Sequence, residues 1–195
     1  MAIAVQQIRL QVMRSADRRL VGRWQSNPEV AYWMGKLLAR RPFVERSEKR
    51  EWMIVCDGRS IGYCGLYDIE EEDGTAELQI CIGEPALWNQ GLGTQALRLL
   101  VAEATALGIS YIYLRVYGDN ARGIASYQKV GFRLEGVLRR GHRSEKRTIH
   151  LMGLHLSRTV SSARPPLPAQ PPLPAQPPLP ARPPSPARPA GHDRH

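Results

Sequence analysis

Thirteen of the chain's 16 prolines lie beyond Ala163, and before that point proline stands only at positions 28, 42 and 85. Proline locks φ and removes a backbone donor, so a proline-dense stretch builds neither helix nor sheet. Residues 165–188 are four copies of a six-residue unit, PPLPAQ, PPLPAQ, PPLPAR and PPSPAR. None carries a core-forming face. The chain is therefore read as a folded part, residues 1–156, and a disordered Pro/Ala/Arg-rich tail, residues 157–195, with polyproline II character. About 156 residues bury roughly two-thirds of the surface that the unfolded chain exposes. PxxP recurs in the tail beside Arg182 and Arg188, a pattern suited to an SH3-like partner. A plain solvated extension is the simpler reading.

The net charge is +9, and the tail's five arginines and one aspartate account for four of it. The remaining mild excess suits a phosphate-bearing ligand. It does not argue for nucleic acid, because no aromatic residues interleave with basic ones. Cys56, Cys64 and Cys81 are odd in number and lack metal-ligand spacing, so neither a disulfide framework nor a metal site is expected. No signal peptide is read at the N-terminus. No apolar run is long enough to span a bilayer, and a cytoplasmic protein is expected.

Ile8–Val12 alternates apolar and polar residues, as a half-buried strand does. Ser15 is read as the cap of a helix that buries Leu20, Val21 and Trp24. Asn27 caps a second helix, with Pro28 in its first turn and Val30, Trp33 and Met34 along it. Trp52–Cys56 and Ile61–Ile69 are strands joined through Asp57-Gly58, and Asp73-Gly74 leads into a third strand at 76–83. A long helix follows Gly93, closed by Gly108, then a strand at Tyr111–Val116. A helix capped by Asp119 or Asn120 stops at Gly131, and two strands, Phe132–Leu138 and Ile149–Leu156, finish the domain. The predicted fold class is α/β: a mixed central sheet, three meandering strands then βαβ units, flanked by helices.

Two stretches carry the chemistry. In Trp88-Asn89-Gln90-Gly91-Leu92-Gly93-Thr94 a loop with two glycines runs straight from a strand into a helix. Glycine lets the backbone approach a ligand closely. The free amides at the helix start, with the helix dipole, form a diphosphate site. No Lys-Ser/Thr pair follows, so this is not a P-loop, and the third glycine of a dinucleotide fingerprint is missing. The second stretch is Asn120-Ala121-Arg122-Gly123-Ile124-Ala125-Ser126-Tyr127-Gln128-Lys129-Val130-Gly131-Phe132.

Together these stretches resemble the two motifs of the GNAT superfamily of acetyl-CoA-dependent N-acetyltransferases, at the right spacing for one helix and one strand. Trp24-Gln25-Ser26-Asn27-Pro28-Glu29-Val30 resembles the RimJ/RimL-like branch. The resemblance covers about residues 8–155 and departs from the family pattern at Trp88, Asn89 and Gly123. It implies transfer of acetyl from acetyl-CoA to a primary amine, on a small molecule or a protein N-terminus, and it allows a homodimer. It implies that the pantetheine arm pairs with Cys81, Ile82 and Gly83. It places the diphosphate on Trp88 to Thr94 (Trp88, Asn89, Gln90, Gly91, Leu92, Gly93 and Thr94), with Asn120 and Lys129 beside the cofactor. Arg122 and Lys129 either reach phosphates or are solvated. Tyr127 matches the position that donates a proton to the sulfur.

The base is less evident. Glu77 stands on the strand face opposite Leu78, Ile80 and Ile82, and a partly desolvated carboxylate there could take the amine's proton. His142 and His150 titrate in the useful range but read more simply as structural or exposed. The acidic run at 70–73 is a solvated turn or a lure for a cationic acceptor. Glu29, Glu45 and Glu48 could add carboxylates, yet Arg40, Arg41, Arg46 and Arg50 lie among them and would repel a polycation. The competing reading is an acetyl-CoA-sensing or scaffolding module that recruits partners through the tail.

Overall fold

The computed structural model describes residues 7–39, 48–140 and 147–156. The readings on Arg40, Arg41, Glu45, Arg46, His142 and residues 157–195 lie outside the described residues.

Seven strands form one sheet. They are β1 (Ile8–Val12), β2 (Glu48–Cys56), β3 (Arg59–Glu70), β4 (Thr75–Ile82), β5 (Tyr111–Tyr117), β6 (Arg133–Arg140) and β7 (Arg147–His155). The helices are α1 (Arg18–Gln25), α2 (Pro28–Ala39), α3 (Leu92–Ala106) and α4 (Ala121–Val130). The expected α/β class and element order are both present. The Asp57-Gly58 turn has φ of 48° and 84°, the left-handed pair that a tight hairpin needs. Asn27 caps α2, its Oδ1 accepting from the Glu29 amide at 2.9 Å.

Ser15 does not cap α1. It sits in a 3₁₀ turn, Ser15–Asp17, and Asp17 closes that turn backward by accepting the Arg14 amide at 2.8 Å. A short turn thus precedes the helix, and Asp17 occupies the cap position without its side chain bonding to a helix amide.

The sheet order is β1-β2-β3-β4-β5-β7-β6. Only β4 and β5 are adjacent and parallel; all other neighbours are antiparallel. The sequence suggested simple βαβ units, but β7 inserts between β5 and β6. The chain after α4 therefore lands one strand away and folds back as a hairpin.

Each face of the sheet carries its own core. On one side, Ile54, Leu66, Ile112, Leu114 and Met152 pack beneath Leu92, Leu97 and Leu100 of α3, and Tyr127 and Val130 of α4 join them. On the other, Val21 and Trp24 of α1 and Val30 of α2 cover Met53, Val55, Tyr63 and Cys81. Each buried Leu or Ile contributes about 1.5–3 kcal/mol relative to exposure. Period-2 alternation along β5 sends Ile112, Leu114 and Val116 to the first core and leaves Tyr113, Arg115 and Tyr117 on the α2 side.

Candidate active site

The site begins where two strands part. β4 and β5 pair only at Thr75, Ala76 and Glu77 against Tyr111, Ile112 and Tyr113. Beyond them a cavity of about 340 Å³ opens, with Leu78–Ile82 on one bank and Arg115–Tyr117 on the other. The β5-facing edge of β4 therefore offers backbone to an extended ligand in place of a strand.

The glycine loop stands at the end of this gap. Asn89 and Gly91 have φ of 64° and 78°. Asparagine is among the few side chains that accept this left-handed region, so its presence does not break the loop. Gly91 leads into α3, whose first intrahelical bond runs from the Gln95 amide to the Gly91 carbonyl. The amides of Leu92, Gly93 and Thr94 precede it and face the cavity end of the helix. A Cβ on Gly91 would meet nothing within 4 Å, and one on Gly93 only Ile82 at 3.7 Å. The space in front of these glycines is open, as a cradle for a diphosphate requires.

Other predicted residues meet there too. Cys81, Ile82, Trp88, Asn89, Gly91, Leu92, Gly93, Thr94, Asn120, Tyr127 and Lys129 all line the cavity. Asn120 caps α4, its Oδ1 accepting the Gly123 amide at 3.0 Å. Its side chain fills the space that a Cβ on Gly123 would need, the nearest atom lying at 2.8 Å. Trp88 spends its indole N–H on the Ile82 carbonyl at 2.9 Å, so that carbonyl is already engaged. Tyr127 packs edge-on against Phe132, and its hydroxyl has no hydrogen-bond partner among the described residues. Burial, with the charge form of the nearby Cys81 thiol, pushes its phenol up to about 12. Burial likewise pushes the Cys81 thiol up to about 12.

Three predicted residues stand elsewhere. Gly83 lies under the Trp24 ring, which a Cβ there would meet at 2.2 Å, and its amide donates to the Ile61 carbonyl at 2.8 Å. Its smallness serves packing. Gln90 turns back to donate to the Ala86 carbonyl at 2.9 Å. Glu77 is 2% exposed and does not line the cavity. Its Oε1 accepts from Arg115 Nε at 3.1 Å, and its Oε2 from Arg115 Nη2 at 3.0 Å. Glu77 and Arg115 thus form a bidentate ion pair between β4 and β5.

Sequence reasoning missed the aromatic–arginine wall. Arg122 lies 3.9 Å from the Trp88 ring centroid and 5.9 Å from that of Trp33. Arg147 lies over Tyr117 at 3.7 Å and Tyr32 at 4.3 Å, and its Nη2 donates to both Asp119 carboxylate oxygens. Tyr32 and Arg147 are 115 residues apart, so no local pattern announces the contact.

The Acetyltransferase (GNAT) domain profile matches residues 7–133. The chain belongs to the GNAT acetyltransferase family. Like other members it is an acetyl-CoA-dependent N-acetyltransferase, with acetyl-CoA as acetyl donor. The chain is 31% identical over 143 residues to the spermidine N(1)-acetyltransferase of Escherichia coli strain K12, covering 67% of this chain and 75% of that protein. It is 24% identical to an uncharacterized N-acetyltransferase, p20, of Bacillus licheniformis, over 74% of this chain and 89% of that one. The fold is similar to the Vibrio cholerae spermidine N-acetyltransferase in complex with CoA and spermine, with a TM-score of 0.66, 19% identity, and coverage of 76% and 95%. An aminoglycoside acetyltransferase in complex with coenzyme A shares the fold at a TM-score of 0.62, with 20% identity and coverage of 76% and 95%. Among the described residues no helix of this acetyltransferase is long and apolar enough to cross a membrane.

Proposed function

We propose that this acetyltransferase moves acetyl to a primary amine by direct attack, with Tyr127 as general acid at the sulfur. The observation that carries the reading is the position of Tyr127: a half-buried phenol with no hydrogen-bond partner among the described residues, lining the gap between β4 and β5 that ends at the glycine loop. Acetyl-CoA supplies the thioester. The amides of Leu92, Gly93 and Thr94 hold its diphosphate, and Lys129 and Arg122 lend positive charge. Backbone of β4 at Cys81 orients the extended arm, while the Ile82 carbonyl serves Trp88 instead. Asn120 keeps α4, and so Tyr127, in place.

A phenol at about 12 is a much weaker acid than a free thiol at about 8.5, so complete proton transfer is uphill by roughly 5 kcal/mol. The phenol therefore works as a hydrogen-bond donor to developing negative charge on sulfur. Water takes the ammonium proton on this reading, since Glu77 is committed to Arg115. Asn27 and Pro28 set the start of α2 and bring Val30, Trp33 and Met34 to the cavity, which supports a RimJ/RimL-like placement. The acceptor is an amine of a small molecule or a protein N-terminus. The named relatives include spermidine and aminoglycoside acetyltransferases, and the Vibrio cholerae spermidine N-acetyltransferase forms a dodecamer. A homodimer is part of this proposal. A cytoplasmic setting fits Cys56, Cys64 and Cys81, which are buried as thiols. The SH3-like partner of the tail rests on its repeats alone.

The test is release of free thiol from acetyl-CoA with a panel of primary amines, wild type against Tyr127→Phe. Turnover that falls in the variant supports the mechanism. Tight acetyl-CoA binding with no turnover on any amine points to the sensing or scaffolding module instead.

A further inference from the structure

The charges around the cavity bear on which amine enters. Among the described residues that line it, the charged side chains are Arg115, Arg122 and Lys129, and none is a carboxylate. The carboxylates nearby are already matched. Glu77 is held by Arg115, Asp119 by Arg147, and Glu84 accepts from Arg59 at 2.6 and 2.8 Å. Glu29, exposed on the first turn of α2, acts on Arg122.

The aromatic rings already stand beside cations. Trp88 and Trp33 lie under Arg122, and Tyr117 lies under Arg147. An ammonium in this cavity meets guanidiniums of like charge beside those three rings. Among the described lining residues, a polycationic acceptor therefore meets cations and no carboxylate.

Lys129 and Arg122 stand on α4, the helix beside the glycine-loop end. Arg115 projects from β5 on the α2 side of the sheet, opposite the face that α3 covers. Its Glu77 pair uses Nε and Nη2 and not Nη1, the residue lines the cavity, and its side chain is 27% exposed. The walls beside it, Val30, Trp33 and Met34, are apolar.

We propose that the acceptor is a primary amine carrying a carboxylate close to it, and that Arg115 recognises this carboxylate. The proposal rests on the acetyltransferase reading of the cavity and deepens it. The N–C bond forms as the C–S bond breaks. Of the two protons an ammonium gives up, one ends on the sulfur and one in water. Glu77 is a positioning residue: its bidentate grip fixes the Arg115 fork so that the remaining nitrogen faces the acceptor.

The experiment compares kcat/KM for α-, β- and γ-amino carboxylates, their decarboxylated amines and spermidine, each at the same free-amine fraction. A charge-assisted hydrogen bond predicts a 10- to 150-fold preference for the best amino carboxylate over its decarboxylated partner. Spermidine should be the poorer substrate. Parity, or a preference for spermidine, overturns the proposal while leaving the acetyltransferase intact. The paired variant Glu77→Gln/Arg115→Gln removes both charges at once and so leaves no buried charge unmatched. In it the preference should fall below threefold, and a retained preference shows that Arg115 is not the reader. If acetyl-CoA itself fails to bind in calorimetry, the assignment of the cavity falls, and this proposal falls with it.

Discussion

Replacing Tyr127 by phenylalanine removes one oxygen and nothing else that the fold uses. The ring keeps its edge contact with Phe132 at a centroid separation of 5.9 Å. The hydroxyl bonds to no described residue, so its loss leaves no donor or acceptor stranded. Stability should change by less than about 0.5 kcal/mol, or roughly 2 °C in melting temperature. Catalysis should respond very differently. A hydrogen bond to a charged group contributes about 1.5–3 kcal/mol, which corresponds to a 10- to 150-fold fall in kcat. The KM for acetyl-CoA should move little, because the interaction strengthens only as charge develops on sulfur. The pH profile adds a second check. With the phenol at about 12, Tyr127 stays protonated below about pH 11, and wild type and variant should share the same profile shape up to pH 10. The assay is thiol release from acetyl-CoA at saturating amine, alongside a melting curve. A kcat within threefold of wild type refutes the role of Tyr127.

Gly83→Ala should cost about 1–3 kcal/mol by pushing a methyl into the Trp24 ring, and a melting temperature unchanged within 1 °C would contradict that packing. The two loop glycines should behave differently. Gly91→Ala forces alanine to φ 78° at about 1–2 kcal/mol and should melt roughly 3–6 °C lower, whereas Gly93→Val should keep its melting temperature yet lose acetyl-CoA binding in calorimetry. Unaltered affinity in Gly93→Val would remove the loop from the site. Burial opposes ionisation of Glu51, but hydrogen bonds from Arg18 and Tyr67 outweigh it and hold the carboxyl at about 2. A carboxyl depressed in the folded state contributes stability above its unfolded value of about 4.3, and that contribution disappears as pH falls from about 5 to 2. About 2 kcal/mol should be lost over this window after solvent screening around the half-exposed Arg18, and Glu51→Gln should flatten that part of the acid-unfolding curve.

Local chemistry was legible wherever neighbours in sequence are neighbours in space. Asp57-Gly58 as a hairpin turn, Asn27 and Asn120 as caps, and the strand–loop–helix passage around Gly91 follow from backbone rules acting over a few residues. The candidate site residues could be named for that reason: glycine loop and tyrosine each sit in a continuous stretch.

Other features needed the three-dimensional structure, because their cause lies in pairings between distant segments. The insertion of β7 between β5 and β6 depends on which edges meet. So does the early parting of β4 from β5, which creates the cavity. Glu77 shows the difference plainly: its bidentate pairing with Arg115 exists only because the neighbouring strand brings the guanidinium to it. Gly83 similarly owes its size to Trp24, a side chain from another element that lies against it. Sequence alone determined the elements, their caps and the motif residues, since short-range sterics and hydrogen bonding act within a few residues. Tertiary structure decided the charges and faces that an incoming amine meets, since electrostatics and packing depend on distance in space.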